Sequence, residues 1–356
     1  MIPLFVGSLS SYAGKNMIGL GLSLKFKDDG YRVGYFKPIG VQPTRVENVI
    51  TDEDTKFFRE ALDLTDPMES LCPIVLTESI INKVFSGTFT DAMAKIRKAF
   101  DTVSKDKDIV LIGGVGDLDL GMAINASGAQ IIEALDAKAI MVTKFLDMVF
   151  CTDRSLSTKE HLGDRLIGIV VNRATRRQSQ ILEDKIVPFL ATRGVDMLGV
   201  IREDPLLGAV PVSELVERLN AKVLCGGGHL DALVERFSIG AMNVESALRF
   251  FQRQPNKGVI VGGDRPDIQL AALETSTRCL ILTGDLYPNE IILAKAEEKE
   301  VPVLLVKSDT AMTVEECEDL TGHLSLRSME KVRRVSEVVK ESINLDLVYE
   351  KLGLDK

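Results

Sequence analysis

Short apolar runs alternate with longer amphipathic stretches through the first half of the chain. The runs are IPLFVG from Ile2, YRVGYF from Tyr31, DIVLIGG from Asp108, AIMVT from Ala139, LIGIVVN from Leu166 and MLGVI from Met197. They are rich in Val, Ile and Leu and show no polar alternation, the pattern of strands buried on both faces of a parallel sheet. Between them, Lys15–Lys27 places Ile18, Leu22 and Phe26 four residues apart, and Asp91–Val103 carries Met93, Ile96, Ala99, Phe100 and Val103. Both spacings predict helices with an apolar face. Strand and helix in alternation predict an α/β fold with a doubly wound, mostly parallel sheet.

The pattern changes near Pro205, where DPLLGAVPVSELVERL brings prolines and then a new helix. Strands recur at KVLCG from Lys222, GVIVGG from Gly258, RCLILTG from Arg278 and VPVLLV from Val301, separated by short helices and glycine turns. This predicts a second, smaller α/β domain over residues 206–356, following a first domain over 1–205. The segment from Ser325 to Leu352 mixes charges with apolar residues three and four apart, and reads as a packing helix ending the second domain. No low-complexity linker separates the two halves, so a packed arrangement is expected. A length of 356 residues agrees with two domains.

Composition narrows the function. The formal net charge is −9 and no basic stripe is visible, which argues against nucleic acid as the main partner. The start MIPLFVGSLS lacks a positive leader, and no apolar run approaches the ~20 residues of a membrane span. The five cysteines (Cys72, Cys151, Cys225, Cys279 and Cys317) are scattered, with no CxxC. They read as reduced thiols of a cytoplasmic protein without a membrane. Cys225 and His229 in CGGGH lack the further ligands a zinc site needs, so they read as loop.

The candidate chemistry begins with GSLSSYAGKNMIGLGLSLKFKDDGYRVGYFKPIG, from Gly7 to Gly40. Gly14-Lys15 falls where the first strand hands over to the first helix. There, backbone N–H groups, the helix's positive end and a lysine together can hold phosphate. The cradle would run through Gly7, Ser8, Ser11, Gly14, Lys15, Asn16 and Met17. The spacing departs from GxxxxGK[ST]: Leu9 stands at the first-glycine position, and Asn16 stands where a hydroxyl would meet magnesium. A small-residue turn with a solvated lysine is the alternative. The second strand ends in FKPIG, which puts Lys37 at the carboxyl edge where open α/β sheets bind ligands. Two lysines at strand exits favour an anion site.

These residues, with TDEDTKFFREALDL, DIVLIGGVG and LIGIVVNRA, resemble the dethiobiotin-synthetase-like P-loop domain. More narrowly, they resemble the version at the N-terminus of long bacterial phosphate acetyltransferases. GVIVGGDRPDIQLAALETSTRCLILTG with VPVLLVKSDTAMT resembles the DRTGG domain that follows it there. The resemblance implies ATP or ADP held by Lys15, with Lys37 toward the γ-phosphate or an acidic substrate as the one catalytic candidate. It also implies a magnesium carboxylate at Asp52 or Asp54, and Asn172 hydrogen-bonding the adenine edge. Helix capping accounts equally for Asp52 and Asp54, and a strand-ending turn for Asn172. Asn16 replaces the synthetases' hydroxyl and Gly113 their strand-end glutamate, which predicts weak metal positioning. Asp117 and Asp119 are possible substitutes. The chain ends at Lys356 without a recognisable acetyltransferase domain, so acetyl transfer by this chain is not expected.

In the second half, Asp264, Arg265, Asp267 and Gln269 follow one strand, Thr283 and Gly284 end the next, and Asp309-Thr310 follow the third. This gathers a candidate pocket at one sheet edge, with Asp267 as a helix cap. An Asp264–Arg265 ion pair fixing the turn is the alternative. Together the features predict a nucleotide-responsive regulatory protein of central or acetyl-phosphate metabolism with a degraded metal site. It would form a homodimer or higher homo-oligomer and could serve a separate metabolic enzyme. The alternatives are an ATP-dependent ligase of the dethiobiotin synthetase or cobyrinate diamide synthase type, and a structural subunit with a vestigial site.

Overall fold

The computed structural model describes residues 1–10, 13–322 and 329–355. Ser11, expected in the phosphate loop, lies outside them, as does the start of the tail expected from Ser325. Two compact units form. One comprises Met1–Glu203 with Ser328–Lys356, and the other Asp204–Arg327.

The first unit is built on β1 (Ile2–Ser8), β2 (Val33–Phe36), β3 (Ile109–Gly113), β4 (Lys138–Lys144), β5 (Leu166–Ala174) and β6 (Met197–Arg202). They lie in the order β6-β5-β4-β1-β3-β2, and every neighbouring pair is parallel. The apolar runs of the central strands are buried, with Leu4, Ile109, Val110, Ile112, Ile140, Met141, Val142, Ile169, Val170 and Val171 fully inaccessible, while edge strand β6 keeps Met197, Gly199 and Val200 half-buried. Helices cover the sheet, among them α1 (Lys15–Asp28), α2 (Glu53–Ala61), α3 (Ala92–Val103), α4 (Gly128–Ala134) and α5 (Met148–Leu162). From β1 the chain runs outward to β2, returns to β3 beside β1, then crosses to β4 on the other side. The strand order therefore reverses at β1, and the crevice beyond its carboxyl end is where such sheets place ligands.

The second unit carries β7 (Lys222–Cys225), β8 (Arg236–Ile239), β9 (Lys257–Gly262), β10 (Thr277–Thr283) and β11 (Val303–Leu305) in the order β7-β11-β10-β9-β8. Only the β7–β11 pair in this sheet is antiparallel. Side chains alternate between two cores. Val259, Val261, Leu280, Leu282, Val303 and Leu305 meet α6 (Val244–Gln252), α7 (Pro266–Leu273) and α8 (Glu290–Glu298). Ile260, Cys279, Ile281 and Leu304 meet the helix Val212–Arg218 and α9 (Thr310–Gly322). Sheet positions that look uniformly apolar in sequence thus serve two opposite layers.

The last helices correct the expected boundary. α10 (Met329–Ser342) and α11 (Leu345–Leu352) belong with the first unit, so the second is inserted between β6 and α10 rather than following to the end. The reason is a packed surface. A Cβ on Gly21 of α1 would come 2.8 Å from Val339 Cβ and 3.3 Å from Val335 Cγ1. Lys340 pairs with Asp28 at 2.8 Å, Lys351 with Asp196 at 2.7 Å, and the Tyr349 hydroxyl meets the Asp29 carboxylate. The Asn344 N–H donates to Leu198 O of β6 at 2.7 Å. Covered by the sheet on one side and α10 on the other, α1 buries Met17, Ile18, Leu20, Leu22 and Phe26 around its circumference. The single apolar stripe expected of it is therefore too narrow.

Candidate functional site

The chain leaves β1, turns, and enters α1 through Gly14, which sits in the left-handed region at φ 92°. A Cβ there would overlap the Asn172 carboxamide, so both conformation and space require glycine. Asn172 ends β5 almost fully buried. Its Nδ2 donates to Ala13 O at 2.9 Å, and its Oδ1 accepts from the Arg173 N–H at 2.9 Å. The carboxamide thus clamps the loop and the β5 exit, as well as standing at the position expected for a base edge. Ser8 Oγ donates to Gly116 O at 2.6 Å, Arg154 of α5 donates to Leu9 O at 3.2 Å, and the Lys144 N–H donates to Ser10 Oγ at 3.3 Å. Gly7 provides close packing, since a Cβ would lie 2.7 Å from Met141 Cε and from Phe5 Cε1. Met17 points into the core, which leaves only its backbone to the cradle.

No side chain among the described residues caps the start of α1, and its first turn holds no acid. Its leading N–H groups and positive dipole end therefore stand ready for an anion. Lys15 begins the helix and forms no ion pair among the described residues. Burial holds its ammonium below the ordinary lysine value, neighbouring Lys37 adds to that, and Asp54 and Asp52 oppose it. An anion beside it would offset the like charge of Lys37.

Lys37 follows β2 and is only 2% exposed. It pairs closely with Asp54 and lies 3.3 Å from Asp52. Burial alone would lower its pKa; Asp54 and Asp52 overcome that and hold it above the lysine value. For Asp54 burial raises, but Lys37, then Lys15 and the Asn16 hydrogen bond prevail, so its carboxyl stays below the ordinary range. The Asn16 bond is short, Nδ2 donating to Asp54 Oδ1 at 2.6 Å. The structure thus brings together Lys15, Asn16, Lys37, Asp52 and Asp54 at the β1 switch point.

The two proposed magnesium carboxylates have other work. Asp52 is inaccessible and caps α2. Its Oδ1 accepts from the Asp54 N–H at 3.0 Å, and its Oδ2 from the Val41 and Gln42 N–H groups, both at 2.9 Å. Capping, the alternative reading, accounts for it. Both oxygens of Asp54 are taken by Asn16 and Lys37. At Gly113 a Cβ would sit 2.5 Å from the Tyr35 hydroxyl and 3.4 Å from Lys37 Cδ, so Tyr35 occupies the space a strand-end glutamate would enter. Tyr35 is buried, stacked on Phe58 at 4.0 Å. Asp117 Oδ1 accepts from the Asp119 and Leu120 N–H groups at 3.2 Å, a turn of its own. Among the described residues no group of three His, Cys, Asp or Glu is arranged to hold a metal, and none of the five cysteines forms a disulfide.

In the second unit, Arg265 pairs with Asp267 at 3.2 Å and donates to Met242 O at 3.2 Å. Arg265, not Asp267, occupies the N-cap position of α7, and Asp267 lies in its first turn. The Asp264–Arg265 pair, the alternative to a pocket, is replaced by Arg265–Asp267, and Asp264 is exposed. Gln269 is fully buried, donating to Gly262 O at 2.9 Å and Gly263 O at 3.1 Å. Thr283 Oγ1 meets Thr310 Oγ1 at 2.8 Å, and left-handed Gly284 donates its N–H to Ser308 O at 2.9 Å. These contacts fix turns. Lys144, which ends β4, and Arg173, one residue before the end of β5, were not singled out from the sequence. Burial lowers both; Arg173 depresses Lys144 further, and Glu203 partly restores Arg173. Their signal was the one that exposed Lys37, a cation at a strand exit.

A family model described as an AAA domain matches residues 3–218, and one described as a DRTGG domain matches residues 214–320. Among curated proteins, the chain is similar to the phosphate acetyltransferase of Synechocystis sp., 24% identical over 96% of this chain and 50% of that protein. It is also similar to that of Nitrosomonas europaea, 23% identical over 99% and 52%. The chain spans about half the length of the curated relatives it matches. Among solved structures, it is similar to the cell division ATPase MinD of Pyrococcus furiosus, 17% identical over 58% of this chain and 85% of that one, with a TM-score of 0.34. A second is the CBS and DRTGG regulatory region of Clostridium perfringens pyrophosphatase complexed with diadenosine tetraphosphate, 16% identical over 44% and 71%, with a TM-score of 0.28.

Proposed function

Because the chain belongs to the AAA-domain family over residues 3–218 and carries a DRTGG domain over residues 214–320, we propose that it is a nucleotide-binding regulatory protein whose first unit takes ATP or ADP. The observation that carries this reading is the uncapped start of α1 behind left-handed Gly14, with Lys15 and Lys37 beside it. Helix dipole, free N–H groups and two ammonium groups meet at the crevice where a doubly wound sheet binds ligands. The setting proposed is acetyl-phosphate metabolism, for which the support is similarity to phosphate acetyltransferases; a cytoplasmic location and a homo-oligomer or a separate enzyme as the assembly served belong to the same proposal. Hydrolysis is slow or absent in this reading, because phosphoryl transfer relies on metal positioning and both candidate carboxylates are engaged within the chain.

Calorimetry with ATP, ADP, GTP and diadenosine tetraphosphate tests the assignment. At least one should bind, and Lys15→Ala should weaken it by roughly tenfold or more, as expected for the loss of about 1.4 kcal/mol of charge-assisted contact. Equal affinity in the variant would remove Lys15 from the site. Steady turnover of order 1 per second, within the ordinary enzyme range, would favour the ligase reading instead.

A further inference from the structure

We infer that this site binds its polyphosphate without a divalent cation, Asn16 and Lys37 having taken the place of the metal at Asp54. The inference rests on the nucleotide reading above and specifies the ionic form of the ligand. A magnesium ion in a phosphate site needs one or two free carboxylate oxygens and room for an octahedral shell. Both Asp54 oxygens already have partners within the chain: Asn16 Nδ2 donates to Oδ1 at 2.6 Å, and Lys37 Nζ contacts Oδ2. Reversing the Asn16 amide would set its oxygen 2.6 Å from a carboxylate oxygen, two acceptors without a proton, so chemistry fixes the donor toward Asp54. Asp52 is fully inaccessible behind three backbone N–H donors. The Tyr35 hydroxyl fills the space beside Gly113.

Lys15 and Lys37 supply ammonium groups for a phosphate at this cradle, with Lys144 and Arg173 at the neighbouring strand exits. Asp54 is 17% exposed and already bonded to Lys37, so it acts as an internal anion that competes with the incoming phosphate. This sets the sign of a simple variant. If Asp54 held a metal, Asp54→Asn would weaken nucleotide binding in magnesium. If Asp54 competes with phosphate, the same change removes one of the two carboxylates that hold Lys37 and tightens binding.

Calorimetry of ADP with the full chain, in excess EDTA and then in excess Mg²⁺, reads this directly. The dissociation constant in EDTA should equal or fall below that in Mg²⁺, and Asp54→Asn should tighten binding by several-fold in both. Mn²⁺ offered in place of Mg²⁺ should show no protein-bound paramagnetic signal with ADP present. Asn16→Thr, which removes the amide donor and supplies a hydroxyl, should turn the site metal-dependent, with roughly tenfold tighter binding on adding Mg²⁺. Binding that requires Mg²⁺, or an Asp54→Asn variant that binds more weakly, overturns the inference while leaving the nucleotide reading in place. No binding under either condition overturns both. The comparison on the unaltered chain stands even where a variant fails to fold.

Discussion

At the scale of single residues, the Lys37–Asp54 pair ties stability to pH. The Asp54 carboxyl lies below its ordinary 3.8, so its contribution is present above that value and is lost as pH falls through the depressed one. The Lys37 ammonium lies above its ordinary 10.5, so its contribution is present below 10.5 and is lost as pH rises through the raised value. Between about 4 and 10 the pair should therefore leave stability flat. Urea unfolding from pH 7 down to pH 3 should show a fall below about 4, and Asp54→Asn should reduce that slope; an unchanged slope would mean other carboxylates dominate. Gly14, Lys15 and Lys37 were legible in the sequence because strand exits and a helix start are local features. The work of Asn172 was not, since it depends on β5 lying beside a loop 159 residues away in the chain. Asp52 was legible only as two alternatives, and the backbone geometry of α2 decided for the cap. Nothing in the spacing placed the Tyr35 hydroxyl at Gly113.

At the scale of elements, α1 is held by opposite glycines. A Cβ at Gly19 would meet Leu111 at 3.2 Å on the sheet side, while Gly21 faces Val339 on the α10 side. Gly21→Ala should overpack the α1–α10 contact and destabilise the first unit by about 1–3 kcal/mol, and adding Val339→Ala should recover part of that. A double-mutant cycle by chemical denaturation measures the coupling; simple additivity would show that the two helices do not press on each other there. The six strands of the first sheet were legible because burial on both faces leaves uninterrupted Val, Ile and Leu. β8 was not, since this short edge strand buries polar Ser238 and exposes Arg236 and Ile239, with neither an apolar run nor a clean alternation. The hairpin of Pro43–Val46 and Val49–Asp52 escaped for a related reason: it is short and half polar, and it pairs only with itself. The width of the apolar surface on α1 was underestimated because its second cover, α10, lies more than three hundred residues later in the chain.

At the scale of the whole molecule, the two-unit organisation and the near position of the first boundary were legible in the prolines after β6. The return of the chain was not, because the apolar spacing of α10 fits any partner surface. That return has a consequence in time. The ribosome releases β1 to β6 first, yet the faces of α1 and β6 that receive α10 and α11 stay bare while the whole inserted unit is made. At about 5–20 residues per second, that wait is on the order of ten seconds. The insert has its own two cores and so should mature before the unit that precedes it. Stalled nascent chains released at increasing lengths would show the order by limited proteolysis. We expect the Asp204–Arg327 segment to become resistant first, and residues 1–203 only once α10 and α11 have emerged. Early resistance of residues 1–203 would make the last helices an accessory. On the expected order, the phosphate loop is synthesised before the inserted unit and braced only after it, so any nucleotide that binds early meets a P-loop helix still open on its outer side.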